Sequence, residues 1–231
     1  MDLEALKKTD PALYADMDFY LNNGEWRIEY ESPTALWLRW DREWLHVAAE
    51  FDPDEARRLI SGVPDHNAIV IRGYEGVAET AKELGFTGCN PCRQVVYEGS
   101  SPLPVSTELI IRQSDKKDFP AFLETYHYGD EDELREAFEG PDFLGGYWGE
   151  EFVGYIGVHN DGAMGMLHVF PPYRRRGYAE ALYRTLINNQ LKKGRTPFAQ
   201  IIIDNEKSLR LQEKLGLRIS DGLLYWMWRG K

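Results

Sequence analysis

The run MGMLHVFPPYRRRGYAEALYRTLINNQLKK, residues 164–193, decides how this chain folds. Residues 164–170 have the length and apolar content of a buried strand. Pro171 and Pro172 cannot continue a ladder, so the strand stops there. Beyond Gly177, Ala179, Leu182, Tyr183, Leu186 and Ile187 recur along one helical face. Gly194 is placed to end that helix. Arg174, Arg175, Arg176 and Gly177 therefore lie after a strand, at a helix N-terminus. Cations there are disfavoured by roughly 0.3–1 kcal/mol each. Three in a row make sense if an anion sits among them. Free N–H groups, a glycine that lets the backbone approach closely and a guanidinium cluster form a phosphate site. A solvated basic turn is the alternative.

The rest of the composition fits that reading. The chain has 231 residues and a formal net charge of −11, which argues against non-specific binding to nucleic acid or an anionic membrane. A basic cluster inside an acidic chain points instead to a small anionic ligand. No apolar run approaches the ~20 residues of a membrane span. The N-terminal MDLEALKKTD lacks a signal-peptide core, so a cytoplasmic location is expected. Cys89 and Cys92 form a lone C-N-P-C with no second pair of ligands, so no metal is expected. They read as two reduced thiols in a turn.

Asp10-Pro11 starts a helix expected to run to Asn22-Asn23-Gly24. Strands follow at 26–30, 35–40 and 44–51, a helix at 54–61, a strand at 68–72, a helix at 76–84 and a strand at 93–98. Residues 99–104, GSSPLP, are linker-like and divide the chain into 1–104 and 105–231. The second half reads as strand 108–112, a helix capped at Ser114-Asp115, a helix over 131–138, strands 143–148 and 152–159, and the opening stretch. Strand 198–203, helix 206–215 and strands 217–219 and 223–228 complete it. An internal repeat is visible: Glu83-Leu84-Gly85-Phe86 and Gln94–Gly99 echo Lys214-Leu215-Gly216-Leu217 and Tyr225–Gly230 at one constant offset. The first half has no counterpart of residues 171–179. If the halves are related, the first has lost the phosphate loop.

The run Val169 to Ala179 resembles the acetyl-CoA loop of the GNAT acyltransferase superfamily, whose signature Q/R-x-x-G-x-G/A is met by Arg174, Gly177 and Ala179. Asn205, Ser208, Leu211, Lys214, Gly216 and Leu217 resemble its second motif. Ile110-Ile111-Arg112-Gln113 with Asp118 resembles its first strand and helix. The likeness covers residues 107–229 and looks most like the glycine N-acyltransferase-like branch, whose members can carry a degenerate N-terminal half. It implies an α+β (mixed α/β) fold, a central, mostly antiparallel sheet flanked by helices, preceded by a smaller α/β half. It implies transfer of an acyl group, most simply acetyl, from acyl-CoA to a small-molecule or peptide amine by direct attack. Leu167, His168, Val169 and Phe170 would meet pantetheine, with an N–H near Val169 polarising the thioester. Arg174, Arg175, Arg176, Gly177, Tyr178 and Ala179 would hold the diphosphate, with Asn205 and Ser208 on the opposite wall. No nucleic acid or membrane partner is expected, and the chain would act as a monomer or homodimer.

Two departures matter. The family's usual tyrosine falls on Gln212, which cannot act as an acid. A thiol ionises near pH ~8.5, so the leaving group needs little help. The family's usual carboxylate or histidine positions fall on Ala163 and Gly165. Glu150, Glu151, Asp161, His159 and His168 are candidates for the missing base, and a water chain is another; His168 is the one placed in the site, although a lone strand histidine is more often a packed residue than a catalyst. Tyr147, Trp148, Tyr155, Tyr225 and Trp226 could line an amine pocket or simply pack. A non-catalytic acyl-CoA sensor is the alternative function.

Overall fold

A computed structural model describes residues 1–22, 24–40, 45–129 and 131–230. The elements run α1 (Leu3–Thr9), α2 (Met17–Asn22), β1 (Trp26–Glu31), β2 (Ala35–Trp40), β3 (Leu45–Glu50), α3 (Pro53–Ser61), β4 (Ala68–Gly73), α4 (Val77–Glu83) and β5 (Gly88–Val96). They continue through β6 (Ile110–Gln113), α5 (Phe119–Leu123), α6 (Glu131–Glu139), β7 (Leu144–Trp148), β8 (Glu151–Val158), β9 (Met164–Val169) and α7 (Tyr178–Lys192). The chain closes with β10 (Phe198–Ile202), α8 (Glu206–Leu215), β11 (Arg218–Ile219) and β12 (Leu224–Trp228). The expected mixed α/β architecture is present, with a large, mostly antiparallel sheet flanked by helices. No helix among the described residues is long and apolar enough to cross a membrane.

Contacts divide the chain into two compact units. The first holds residues 1–95, 201–210 and 218–231, and the second 96–200 and 211–217. These are divisions by contact, whereas the cut at residue 104 is a division by sequence.

In the first unit the strand order is β1-β2-β3-β4-β12-β5, with β11 also on β5. The C-terminal strand is thus inserted between two strands of the first half. Tyr225 pairs with Ile71 on one side and Pro91 on the other. Alternation along β2 sends Leu36, Leu38 and Trp40 to one face and Ala35 and Trp37 to the other. Leu13, Tyr14, Met17 and Tyr20 cover the first face, and α3 and α4 cover the second through Ala56, Ile60, Val77, Ala78 and Ala81.

Several expectations change here. The helix expected from Pro11 forms only over α2, because tertiary donors claim the carbonyls before it. Arg72 Nη1 donates to Leu13 O (2.8 Å), and Gln94 Nε2 donates to Ala12 O (2.9 Å). Asn23 and Trp44 lie outside the described residues, and β3 begins at Leu45. Cys89 and Cys92 are not in a turn but in β5, with Cys92 in the core of one face and Cys89 against the other. Tyr225 and Trp226 likewise pack against those two cores rather than lining an amine pocket.

The second unit is built on a four-stranded antiparallel sheet, β6-β7-β8-β9. One face carries Phe143, Tyr155 and Met166 against Phe119, Phe122, Leu134 and Phe138 of α5 and α6. The other carries Leu109 and Val153 against Tyr178 of α7. Tyr147 is a packed residue, its hydroxyl donating to Asp118 (2.7 Å) and accepting from the Asp115 N–H (3.0 Å). The cap expected at Ser114-Asp115 does not form, because Asp115 pairs with Arg112 (2.8 Å).

Candidate active site

The site begins at a strand edge. β9 pairs with β8 on one side, and its other edge has no strand partner among the described residues. Gly154 faces Val169 and Tyr155 faces His168, but Gly157 faces Gly165, so β9 carries one extra residue between them. Met166 absorbs it as a bulge, with φ of 54°. Nothing in the sequence announced this bulge.

Past the bulge, the alternation of the ladder fixes what the open edge offers. The Phe170 N–H donates to Val153 O (3.0 Å) across the ladder. Backbone groups of neighbouring residues point to opposite edges, so the Val169 N–H and C=O face the open side. The Val169 carbonyl is taken there by Arg174 Nε (2.8 Å).

The loop that follows is shaped by left-handed residues. Arg175 has φ of 66° and Gly177 has φ of 80°. For arginine this conformation costs on the order of 1–3 kcal/mol, the kind of strain that collects at functional sites. Gly177 is the N-cap of α7 and gives it no side-chain cap. Left-handed turns and an uncapped helix start bring N–H groups together into an anion-binding concavity. The arginines are deployed differently. Arg174 folds back onto β9, while Arg176 lies 5.9 Å from the Trp148 ring and 5.7 Å from that of Tyr173. Tyr178 turns its side chain inward, is 3% exposed and donates its hydroxyl to Glu108, so only its backbone can serve the loop. Ala179 sits in the first turn of α7.

His168 lies on the face shared with α5 and α6, stacked on Tyr155 at 5.7 Å and 5.5 Å from Phe170. Its Nε2 is enclosed and has no hydrogen-bond partner. Burial, then the Arg174 charge, holds its pKa below the ordinary 6.5. Leu167 precedes it in β9 and Phe170 follows the end of the strand, both half-buried. The other candidate bases are placed elsewhere. Glu151 is engaged by the Tyr173 hydroxyl. Asp161 accepts from Ala163 N (3.1 Å) in the β8–β9 turn. His159 lies over Gly165, where any Cβ would run into its imidazole, and burial pushes its pKa down to about 4.

Gln212 is fully buried in α8, beside the Tyr183 hydroxyl of α7. Asn205 and Ser208 belong to the first unit, where Asn205 Oδ1 accepts from the Ser208 N–H (3.2 Å) at the start of α8. They are not among the groups gathered in the second unit. No group of three or more metal-ligating side chains occurs among the described residues.

Comparison with solved structures matches this architecture. A GCN5-related N-acetyltransferase from Kribbella flavida superposes with a TM-score of 0.61 over 94% of each chain, at 13% identity. The chain has the GNAT fold. A GCN5-related N-acetyltransferase-like protein from Streptococcus suis shares the GNAT fold with a TM-score of 0.53, at 15% identity over 88% of each chain. A Drosophila protein matches with a TM-score of 0.61, at 19% identity over 84% of this chain and 78% of its own. The model of the family described as FR47-like protein matches residues 149–226, which run from the β7–β8 turn of the GNAT fold into β12. No curated protein matches the chain.

Proposed function

We propose that this protein is an acyl-CoA-dependent N-acyltransferase that moves an acyl group, most simply acetyl, to a small-molecule or peptide amine. The observation that carries the reading is the open edge of β9, which offers the Val169 N–H and runs directly into an uncapped, arginine-rich helix start. A thioester carbonyl meets the first and a diphosphate the second. Relatives of the fold named as N-acetyltransferases support the same chemistry. No metal has a part in it.

Each group then has a role. The Val169 N–H donates to the thioester oxygen and stabilises the negative charge that develops there. The amine nitrogen attacks the carbonyl carbon. Its proton passes to His168 Nε2, which is neutral and unpartnered and which the entering amine must uncover. The C–S bond breaks, and the sulfur takes up that proton, so the products are an amide and the free thiol. Arg174, Arg175, Arg176 and the N–H groups up to Ala179 hold the diphosphate. Leu167 and Phe170 border the pantetheine.

The first half is a closed copy of the same order of elements, α-α-β-β-β-α-β-α-β, and this supports a degenerate repeat over residues 1–104. Its third and fourth strands are zipped. β3 and β4 pair in parallel from Leu45–Ala68 to Glu50–Gly73, whereas β9 has no such partner among the described residues. Its helix start is filled by its own carboxylates. Asp52 accepts from Asp54 N (3.0 Å) and Glu55 N (2.9 Å), and Glu50 accepts from Asp52 N (2.9 Å). The zipped strands leave no opening for pantetheine between them, and the N–H groups of Asp52, Asp54 and Glu55 at the start of α3 are already bonded.

Thermal shift with acetyl-CoA tests binding, and thiol release over amino acids, polyamines, aminoglycosides and peptide N-termini tests turnover. A raised Tm with thiol release is expected. No shift at millimolar acetyl-CoA would sink the reading. Binding without thiol release for any amine would favour the sensor.

A further inference from the structure

Arg174 differs from the two arginines beside it. Its Nε–H donates to the Val169 carbonyl at 2.8 Å, and its terminal nitrogens carry no hydrogen bond or ion pair among the described residues. The Val169–Phe170 peptide is therefore clamped at both ends, its oxygen by Arg174 and its N–H by Val153 O at 3.0 Å. An ordinary open strand edge offers a donor and an acceptor at each outward residue. At Val169 the acceptor is spent and only the N–H remains. An edge that only donates suits a carbonyl oxygen that is gaining negative charge, and repels nothing that approaches as an acceptor.

The same guanidinium also bears on His168. Bonded at 2.8 Å to the carbonyl of Val169, the residue next to His168, it brings a positive charge that disfavours a second one on the imidazole. An anion on the terminal nitrogens of Arg174 offsets that charge.

We propose that Arg174 is a positioning residue that couples the diphosphate end of the site to its reactive end: it fixes the Val169 peptide through Nε, and passes the presence of a bound diphosphate on to His168. This rests on the acyl-CoA reading above. It assigns the three arginines unequal work. Arg175 and Arg176 contribute affinity alone, and Arg174 contributes to the step itself. Arginine is required because one planar group must reach a carbonyl with Nε and an anion with its terminal nitrogens, which a lysine cannot do.

The test uses the full chain with acetyl-CoA and a responsive amine. Arg174→Lys keeps the charge and loses the Nε bond. It should lower kcat at least tenfold while weakening acetyl-CoA binding, read by calorimetry, by a smaller factor. Arg176→Lys should raise KM for acetyl-CoA with kcat little changed. A second readout needs no turnover. The His168 imidazole is titrated by NMR with and without coenzyme A. The titratable and charged neighbours identified around it are Tyr155 from β8 and Arg174 from the loop. Its pKa should rise on coenzyme A binding in the wild type, and this rise should disappear in Arg174→Gln. If Arg174→Lys loses only affinity, as Arg176→Lys does, the proposal is overturned. It is equally overturned if the His168 titration responds to coenzyme A in the wild type and in Arg174→Gln alike. Failure of the wild type to bind coenzyme A at all is a different result, and removes the acyl-CoA reading together with the proposal built on it.

Discussion

Arg72 and Asp16 form a two-pronged ion pair with both side chains fully buried, Nη1 to Oδ1 at 2.5 Å and Nη2 to Oδ2 at 2.8 Å. The pair joins β4 to the turn before α2, and Arg72 also holds the Leu13 carbonyl. Removing one partner would strand a charge in the core. Asp16→Ala should therefore cost about 3–5 kcal/mol, measured by urea denaturation of the full chain. A loss under 1 kcal/mol would mean that water reaches the guanidinium.

Gly177→Glu should abolish acetyl-CoA binding and leave the fold intact. Space is not the obstacle, since a Cβ there meets nothing within 4 Å. The φ of 80° costs a non-glycine residue roughly 1–2 kcal/mol, so Tm should fall by only a few degrees. The added carboxylate would occupy the anion site itself. Calorimetry and circular dichroism on the same sample check both halves of this expectation, and undiminished binding would refute the loop assignment.

Residues 105–231 expressed alone should not fold. In the intact chain, Leu224 and Met227 of β12 are 0% exposed, and the strand is paired with β4 on one side and β5 on the other. The fragment keeps β12 and loses both neighbours. A dispersed amide NMR spectrum from this fragment would contradict the expectation.

Acid should weaken the protein through His159. Its folded-state pKa of about 4 lies below the ordinary 6.5 because burial disfavours the charged ring. The unfolded chain therefore binds the proton first. The stabilisation is complete above pH 6.5, declines as pH falls, and is lost at pH 4 and below. The full loss is up to about 3 kcal/mol. His159→Gln should flatten the stability profile between pH 6.5 and 4, as measured by urea melts at fixed pH. An unchanged slope would place the titration elsewhere.

What could be read beforehand follows a physical division. The arginine loop was legible because its signals are local: two prolines that stop a strand, a glycine before a helical period, and charges at an unfavourable end. The β9 bulge was not, since Met166 has no residue type that demands a positive φ. The segment before α2 misled because Arg72 and Gln94, from distant strands, take carbonyls that a helix would have used. The thiols misled for a related reason. Cys89-Asn90-Pro91-Cys92 looks like a turn, yet pairing with β12 draws it out straight. Tyr225 and Trp226 resembled pocket residues for want of knowing which sheet their strand would join.

That inserted strand imposes an order on the protein's making. β4 and β5 leave the ribosome long before residues 224–228 exist, and the slot between them stays vacant until those residues emerge. Two bare strand edges in a nascent chain are a hazard for aggregation. The first half is therefore the part that must wait, and its sheet closes only once residues 224–228 have been made.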